Sequence, residues 1–230
     1  MSSSSGPDII TNSLVLHLDA ADRKSYPGSG TVWTDRSGNG KNGTLVGGAG
    51  YNSGNVGSLT FDGVDDHVEI SPIVLTSTYT ITQTLIGGAA TNSIGYMPIG
   101  GGLNTNGEDH KGFIWFFNTN GVNSSVSFMQ DGETGGCNFA NILPSLTQGI
   151  IFQYTLVKNS TNASFYINSN LLGTGNVTSN INFTIRRLGH SYSSYRMNRN
   201  LYNTTIYNRA LSISEIKQNF NATKSRFGLL

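Results

Sequence analysis

Short runs of alternating apolar and polar residues, separated by turns rich in glycine and asparagine, fill most of the chain. The segment 58–70 has the clearest pattern: Leu59 and Phe61 alternate with polar residues before an Asp-Gly-Val-Asp-Asp turn, and Val68 and Ile70 do so after it. Glycine and aspartate favour a tight reversal at such a turn. The pattern predicts a hairpin with one buried face and one solvated face.

The same alternation, or a short buried apolar run, predicts strands elsewhere along the chain. They fall at 14–19, 43–46, 79–82, 84–86, 113–117, 126–129, 151–157, 163–167 and 186–189. Because no helical period lies between them, the chain favours an antiparallel β-sandwich over an α/β fold. The long, turn-rich segment 20–42 interrupts this series, and loops of that length usually pack on themselves or carry a binding function.

One helix is predicted, and it lies near the C-terminus. Ser212 followed three residues later by Glu215 forms a capping box, and Leu211 is placed to contact Ile216 across the first turn. Ile216 and Phe220 then share one face of the helix. We therefore predict an all-β sandwich with one short C-terminal helix lying against it.

Composition narrows the range of functions. The 230 residues include 37% hydrophobic and 12% charged residues with a formal net charge of +1, which suits one globular domain and provides no basic footprint for nucleic acid. No apolar run is long enough to insert into a membrane, and no signal peptide is recognisable. The single cysteine, Cys137, excludes an internal disulfide and a cysteine-clustered zinc site.

Three segments carry a resemblance to a known superfamily. They are FDGVDDHV at 61–68, the predicted hairpin at 154–168, and IYNRALS at 206–212 with the Glu-Ile pair that follows. Together they resemble the laminin-G-like domains of the concanavalin A-like lectin/glucanase superfamily over residues 14–220. The resemblance implies a jelly-roll of two packed antiparallel sheets. We expect an N-terminal arm at 1–12, flexible or bound to a partner, the jelly-roll domain at 13–222 and a C-terminal tail at 223–230.

A narrower likeness involves both ends of the chain. The segments 14–20, 25–40 and 219–228 look like laminin-G-like modules in structural proteins of tailed bacteriophages, including those that infect cyanobacteria. This likeness implies a non-enzymatic virion protein, made in the host cytoplasm. We expect a capsid decoration or head or tail accessory protein that docks onto other virion proteins, with a homo-oligomer also compatible. The alternatives are a carbohydrate-binding adhesin module that recognises host surface glycans and, third, a glycan hydrolase.

The carboxylates do not form a recognisable catalytic set. Retaining glucanases of the superfamily carry Glu-x-Asp-x-x-Glu on one strand, and none of the four glutamates of this chain has that spacing. His67 and Glu69 alternate onto one strand face beside Asp66, which is the nearest approach to an acid/base pair, but an outward face favours a solvated ion pair. We therefore expect no enzymatic activity.

Aromatic residues in loops are the stronger candidates for ligand binding, because rings stack on sugars while amide, carboxylate and guanidinium groups bond hydroxyls. The opposing interpretation is that each ring fixes its own loop to the sandwich. The candidate residues are Trp33, Tyr96, Asp109, Tyr192, Tyr195 and Arg196.

No cofactor is expected from the sequence. Some members of the superfamily hold a calcium ion at the sheet rim, and Asp65 and Asp66 lie in the matching turn. Aspartates in a tight turn more commonly accept hydrogen bonds from nearby backbone amides. Calcium at this turn is therefore an alternative to a purely structural role.

Overall fold

The computed structural model describes residues 7–54, 56–86, 149–177, 182–192 and 195–229, together with the backbone of five strands between 102 and 139. In residues 183, 190–192, 195 and 196 the description is likewise confined to the backbone. The elements, in chain order, are Leu14–Asp19 (β1), Val32–Trp33 (β2), Gly43–Val46 (β3), Gly50–Asn52 (β4), Ser58–Thr60 (β5), His67–Leu75 (β6), Thr78–Ile86 (β7), Gly102–Leu103 (β8), Asp109–Lys111 (β9), Phe113–Thr119 (β10), Asn123–Met129 (β11), Cys137–Phe139 (β12), Ile151–Asn159 (β13), Asn162–Ile167 (β14), Asn170–Asn176 (β15), Phe183–Leu188 (β16), His190–Tyr192 (β17), Tyr195–Arg196 (β18), Asn200–Tyr207 (β19) and Ile213–Phe227 (α1). The predicted strands are confirmed, and the two predicted at 79–82 and 84–86 form one strand, β7.

Two antiparallel sheets build the sandwich. The larger sheet has the order β15-β14-β13-β7-β19-β5-β4, with β1 also paired to β19. Strands β1 and β5 follow one another along the same edge of β19, because β5 pairs with its first residues and β1 with its later ones. The second sheet has the order β16-β6-β3-β2. The antiparallel jelly-roll sandwich with a C-terminal helix, predicted above, is confirmed.

The core lies between the two sheets and is made by alternate residues of facing strands. From the larger sheet, Ile81 and Leu156 are buried, and from the smaller sheet Val68 and Ile185 meet them in one hydrophobic cluster. A period of two places these side chains on the inner faces, and removing such large apolar surfaces from water is the main stabilising contribution.

The hairpin predicted at 58–70 is wrong, because its two strands do not pair with each other, but the residues predicted to be buried are buried. Strand β5 bonds to β4 and β19 in the larger sheet, whereas β6 bonds to β3 and β16 in the smaller one. Leu59, Phe61, Val68 and Ile70 are nevertheless all buried. The acidic turn between the strands therefore carries the chain from one sheet to the other, and inward residues of two facing sheets show the same alternation as one face of a hairpin.

Helix α1 covers the outer face of the larger sheet. The capping box is confirmed: the Ser212 side chain accepts from the Glu215 amide, and Glu215 accepts from the Ser212 amide. Ile216 packs in one cluster with Leu211, and Phe220 packs in a neighbouring cluster with Tyr202 of β19.

The described N-terminal residues run alongside α1. The Ile10 amide donates to Asn219 Oδ1 at 2.7 Å, and Gln218 Nε2 donates to the Asp8 carbonyl at 2.8 Å. Tyr207 on β19 adds a third bond, from its hydroxyl to the Ile10 carbonyl at 2.9 Å. These bonds place the N-terminal segment next to the C-terminal helix, where the two form opposite walls of a groove described below.

Within the described part of the chain, no helix combines the length and apolar character needed to cross a bilayer.

Candidate functional site

Trp33 lies in the core and offers no face to a ligand. It sits on the short strand β2, paired with β3, and its side chain is fully buried. Tyr26, from the same long loop, is also buried, and its hydroxyl donates to the Gly30 carbonyl at 2.7 Å. Both rings therefore fix the 20–42 loop to the sandwich, which is the alternative interpretation given for the loop aromatics.

The same loop is held by a buried carboxylate. Asp35 accepts hydrogen bonds from the amides of His17, Ser37 and Lys41, and from the Ser37 hydroxyl. Burial alone would raise the pKa of Asp35, but these bonds outweigh it and lower the pKa below its usual value. Asn39 then donates to the Leu14 carbonyl at 2.9 Å. The Asp-Arg-Ser-Gly-Asn-Gly segment at 35–40 therefore has a structural role, because its hydrogen bonds hold the loop against the edge of β1.

Four of the six predicted ligand-binding residues come from three strands that lie next to one another. Strand β17, which ends at Tyr192, pairs with β18, which contains Tyr195 and Arg196, and Tyr192 is directly opposite Tyr195. Strand β9, which begins at Asp109, lies next to β17. We call β9, β17 and β18 the rim surface. Tyr96 lies outside the described residues.

The acidic turn brings three carboxylates together. One oxygen each from Asp62, Asp65 and Asp66 lies within 4.8 Å of the others, and Asp66 is buried while its two neighbours are exposed. Asp66 accepts from the Asp62 amide at 2.9 Å, as expected for an aspartate in a tight turn. Burial raises the pKa of Asp66, and the charges of Asp62 and Asp65 act in the same direction. Oxygen donors of this kind are weakly compatible with calcium.

His67 and Glu69 lie on one strand face, as their alternation predicts, with the His67 side chain 14% exposed and that of Glu69 53% exposed. His67 Nε2 lies 3.6 Å from Glu69 Oε1, and Arg187 Nη2 from the neighbouring strand lies 3.6 Å from the same oxygen. The Glu69 side chain is 53% exposed, which is the environment of a surface ion pair.

A polar groove of about 750 Å³ lies between the N-terminal segment, β1 and the last turns of α1. His17, Asp19 and Asp22 line one side, and Arg226 lines the helix side. These residues do not stand out in the sequence, because each is common as an isolated surface group and the four span more than 200 positions. The signal that was present is His17, a titratable side chain within an otherwise apolar buried strand.

An ion pair at the base of the groove is held from several directions. Arg226 Nη2 donates to Asp19 Oδ2 at 2.5 Å, and the other carboxylate oxygen accepts from the Ala21 amide at 3.0 Å. The guanidinium carbon lies 4.5 Å from the centre of the Phe227 ring. Asp19 is buried. The Arg226 guanidinium is therefore fixed in position before any ligand arrives.

Comparison with other proteins shows a fold and no close relative. No family model matches the chain, and no curated protein sequence matches it. Domain 4 of AbnA, an extracellular arabinanase of Geobacillus stearothermophilus solved with arabinotriose, is 14% identical with a TM-score of 0.66, and the match covers 90% of this chain and 98% of that one.

Two further solved structures contain the same sandwich as part of a larger chain. One is a botulinum neurotoxin of type C, whose cell entry depends on two ganglioside molecules; it is 16% identical with a TM-score of 0.65 over 93% of this chain and 52% of its own. The other is Trypanosoma rangeli sialidase, 17% identical with a TM-score of 0.65 over 95% of this chain and 34% of its own. This chain thus spans about half and a third of those proteins. At such identities the likeness defines a jelly-roll β-sandwich and no finer class.

Proposed function

We propose that this protein is a carbohydrate-binding module without catalytic activity. The observation that carries the proposal is the match to AbnA domain 4, because it covers 98% of that domain and the domain was solved with arabinotriose. The neurotoxin match points in the same direction with less weight, since only 52% of that chain is matched. Fold alone does not assign function, so the proposal also needs a site.

The rim surface is the site we propose for the sugar. The backbone places Tyr192 opposite Tyr195 and brings β9, which begins at Asp109, next to β17. Tyrosine is a residue type that stacks on sugars, and carboxylate and guanidinium groups are types that bond hydroxyls, which is why we assign the sugar to these strands. The residues are Asp109, Tyr192, Tyr195 and Arg196. Trp33 is not part of the proposed site because it is buried in the core.

Absence of catalysis is part of the proposal. It is supported by the glutamate spacing, which lacks the glucanase pattern, and by the surroundings of Glu69, which is 53% exposed and has the Arg187 guanidinium 3.6 Å away. A retaining glycosidase requires two carboxyl groups about 5–5.5 Å apart flanking a sugar, one of them with a raised pKa. Asp66 has a raised pKa, but its carboxylate is already bonded to the Asp62 amide within its own turn.

A glycan array tests the rim surface directly. The labelled wild-type chain is compared with Tyr192→Ala and Tyr195→Ala, each of which we expect to weaken binding about tenfold or more, as loss of a central aromatic contact does. Tyr166→Ala is the matched control, because Tyr166 is a half-buried tyrosine that packs on the helix side of the larger sheet. Equal binding by all four proteins would contradict the proposed site.

The array is run with calcium and with a chelator, since the acidic turn has an oxygen set that calcium accepts. Binding that needs calcium and is lost in Asp65→Asn would make the turn a metal centre. We expect binding to be independent of calcium.

The virion role stays a second proposal that rests on the sequence resemblance alone. None of the three structures compared above is a phage protein. Mass spectrometry of purified particles tests it, and the two proposals are compatible, because a glycan-binding module on a particle surface would be an adhesin.

A further inference from the structure

We propose that the groove between the N-terminal segment and α1 is a second binding site, separate from the rim surface, for a neutral polyhydroxylated ligand such as an oligosaccharide. The inference rests on the proposed function for the class of ligand, and on the groove for its own evidence. Its volume of about 750 Å³ falls within the range that holds small ligands in proteins.

A fixed guanidinium group lines the groove. Arg226 is on the helix side of the lining, and its side chain is 34% exposed. The Asp19 carboxylate and the Phe227 ring hold this guanidinium in place. The exposed part of the Arg226 side chain therefore presents a positioned hydrogen-bond donor group to the groove.

The lining of the groove carries more negative than positive charge. Three carboxylates, those of Asp8, Asp19 and Asp22, face one guanidinium, that of Arg226. Asp22 is shared with Arg36, whose Nε lies 3.3 Å from Asp22 Oδ2. An anionic ligand would be repelled by the carboxylates, and a cationic ligand would leave the Arg226 donor unsatisfied. A hydroxyl group fits both requirements, because it accepts from a guanidinium N–H and donates to a carboxylate.

His17 adds a neutral polar side chain to the lining of the groove. Its backbone is fixed on both sides, since its amide donates to Asp35 Oδ1 at 3.0 Å and its carbonyl accepts from the Arg36 amide at 2.7 Å. Burial lowers the pKa of the His17 imidazole, so the ring is neutral at pH 7 and offers one donor and one acceptor. A neutral imidazole beside a carboxylate and a guanidinium adds a third polar group suited to hydroxyls.

One substitution in the wall of the groove can block it without breaking the ion pair between Asp19 and Arg226. Ser225 is exposed on the last turns of α1 and lines the groove. Ser225→Phe places a ring in the groove and leaves Asp19 and Arg226 untouched. Ser214→Phe is the matched control, because Ser214 is also exposed on α1 but lies 11 residues away, about 16 Å along the helix. Asp22→Asn removes one carboxylate charge and keeps its size.

The test is nuclear magnetic resonance of the isotope-labelled full chain. It is titrated with arabinotriose, maltotriose, cellotriose and galactobiose, with a tetra-arginine peptide and glucuronic acid as the charged probes. We expect at least one neutral sugar to shift amide signals at 8–10, 17–22 and 222–226. Ser225→Phe should weaken that response about tenfold, Asp22→Asn should weaken it less, and Ser214→Phe should leave it unchanged.

The outcomes separate this inference from the proposed function. Groove shifts that survive in Tyr192→Ala support a second site, and shifts confined to 109–111 and 190–196 overturn the groove proposal while leaving the rim surface in place. Groove shifts without any rim shifts support the groove and count against the rim. A response only to tetra-arginine or only to glucuronic acid, or no groove shifts with any sugar, overturns the groove proposal.

Discussion

At the scale of single residues, the type of side chain in a loop does not reveal whether it is exposed. Trp33 and Tyr26 occur in a long polar loop, yet both are buried, because the loop folds back over the edge of the sandwich and its carboxylate at Asp35 binds the backbone of that edge. Arg226 is the opposite case. In the sequence, Arg226 is an ordinary basic residue in the expected C-terminal tail. In the structure it lies in the last turn of α1, and the fold brings it to Asp19.

Trp33→Ala should destabilise the protein by about 3–5 kcal/mol, the usual cost of truncating a large buried aromatic side chain. Trp33→Phe should cost less, because most of the ring volume is kept. Urea denaturation followed by circular dichroism measures both. Under conditions where Trp33→Phe is fully folded, we expect unchanged sugar binding. A loss of binding in that variant would show that Trp33 contributes to the ligand site.

At the scale of elements, local sequence determines what faces the core but not which strand is the neighbour. The alternation at 58–70 correctly predicts four buried residues, while the pairing belongs to two different sheets. The helix is a contrasting case, since a capping box is made by residues three apart and needs no distant partner. Elements defined by local contacts were therefore predictable, and so was the hairpin at 154–168, where β13 pairs with the next strand, β14. The strand partners at 58–70 were not, because they are distant in sequence.

The helix start gives a prediction for pH. Bonds from Arg209 and from the Ser212 amide lower the pKa of Glu215 from 4.5 to about 2. A carboxyl group with a lowered pKa stabilises the folded state above its unfolded pKa, and this contribution is lost as the pH falls from 4.5 toward 2.

Glu215→Gln should therefore cost about 1 kcal/mol at pH 7, because it removes the ion pair with Arg209 while Gln can keep the capping bond, and the difference from wild type should shrink below pH 4.5. Urea midpoints measured across pH 2–7 check this. Glu69→Gln is the control, since the Glu69 side chain is 53% exposed. A difference that stays constant across the whole pH range would contradict the assignment.

The acidic turn also depends on a close approach of the chain. Gly47 has φ +82°, and a Cβ there would lie 2.5 Å from the Asp65 carbonyl oxygen. Gly30 has a similar φ of +87° with nothing within 4 Å of such a Cβ.

Gly30→Ala should cost about 1–2 kcal/mol, the penalty for a left-handed alanine. Gly47→Ala should cost a further 1–3 kcal/mol, because the added methyl group must displace backbone. Thermal or urea denaturation gives both values. An equal loss of stability in the two variants would contradict this, because it would show that the backbone of the acidic turn moves away from the added methyl group at no cost.

At the scale of the whole molecule, the fold followed from the sequence more fully than the sites did. Repeated short strands and missing helical periods determine an antiparallel sandwich, and the structure confirms it. The rim surface was partly predictable, since Tyr192, Tyr195 and Arg196 are close in sequence. The groove was not, because residues near both ends of the chain become neighbours only when β1 pairs with β19 and α1 packs on the same sheet.

Sugar binding without hydrolysis is measured by calorimetric titration of the intact protein with the panel of neutral oligosaccharides, followed by mass spectrometry of the recovered sugars. We expect saturable binding of at least one sugar and recovery of that sugar unchanged after prolonged incubation. Shortened products would show a hydrolase, and the absence of binding to every sugar would contradict the proposed function.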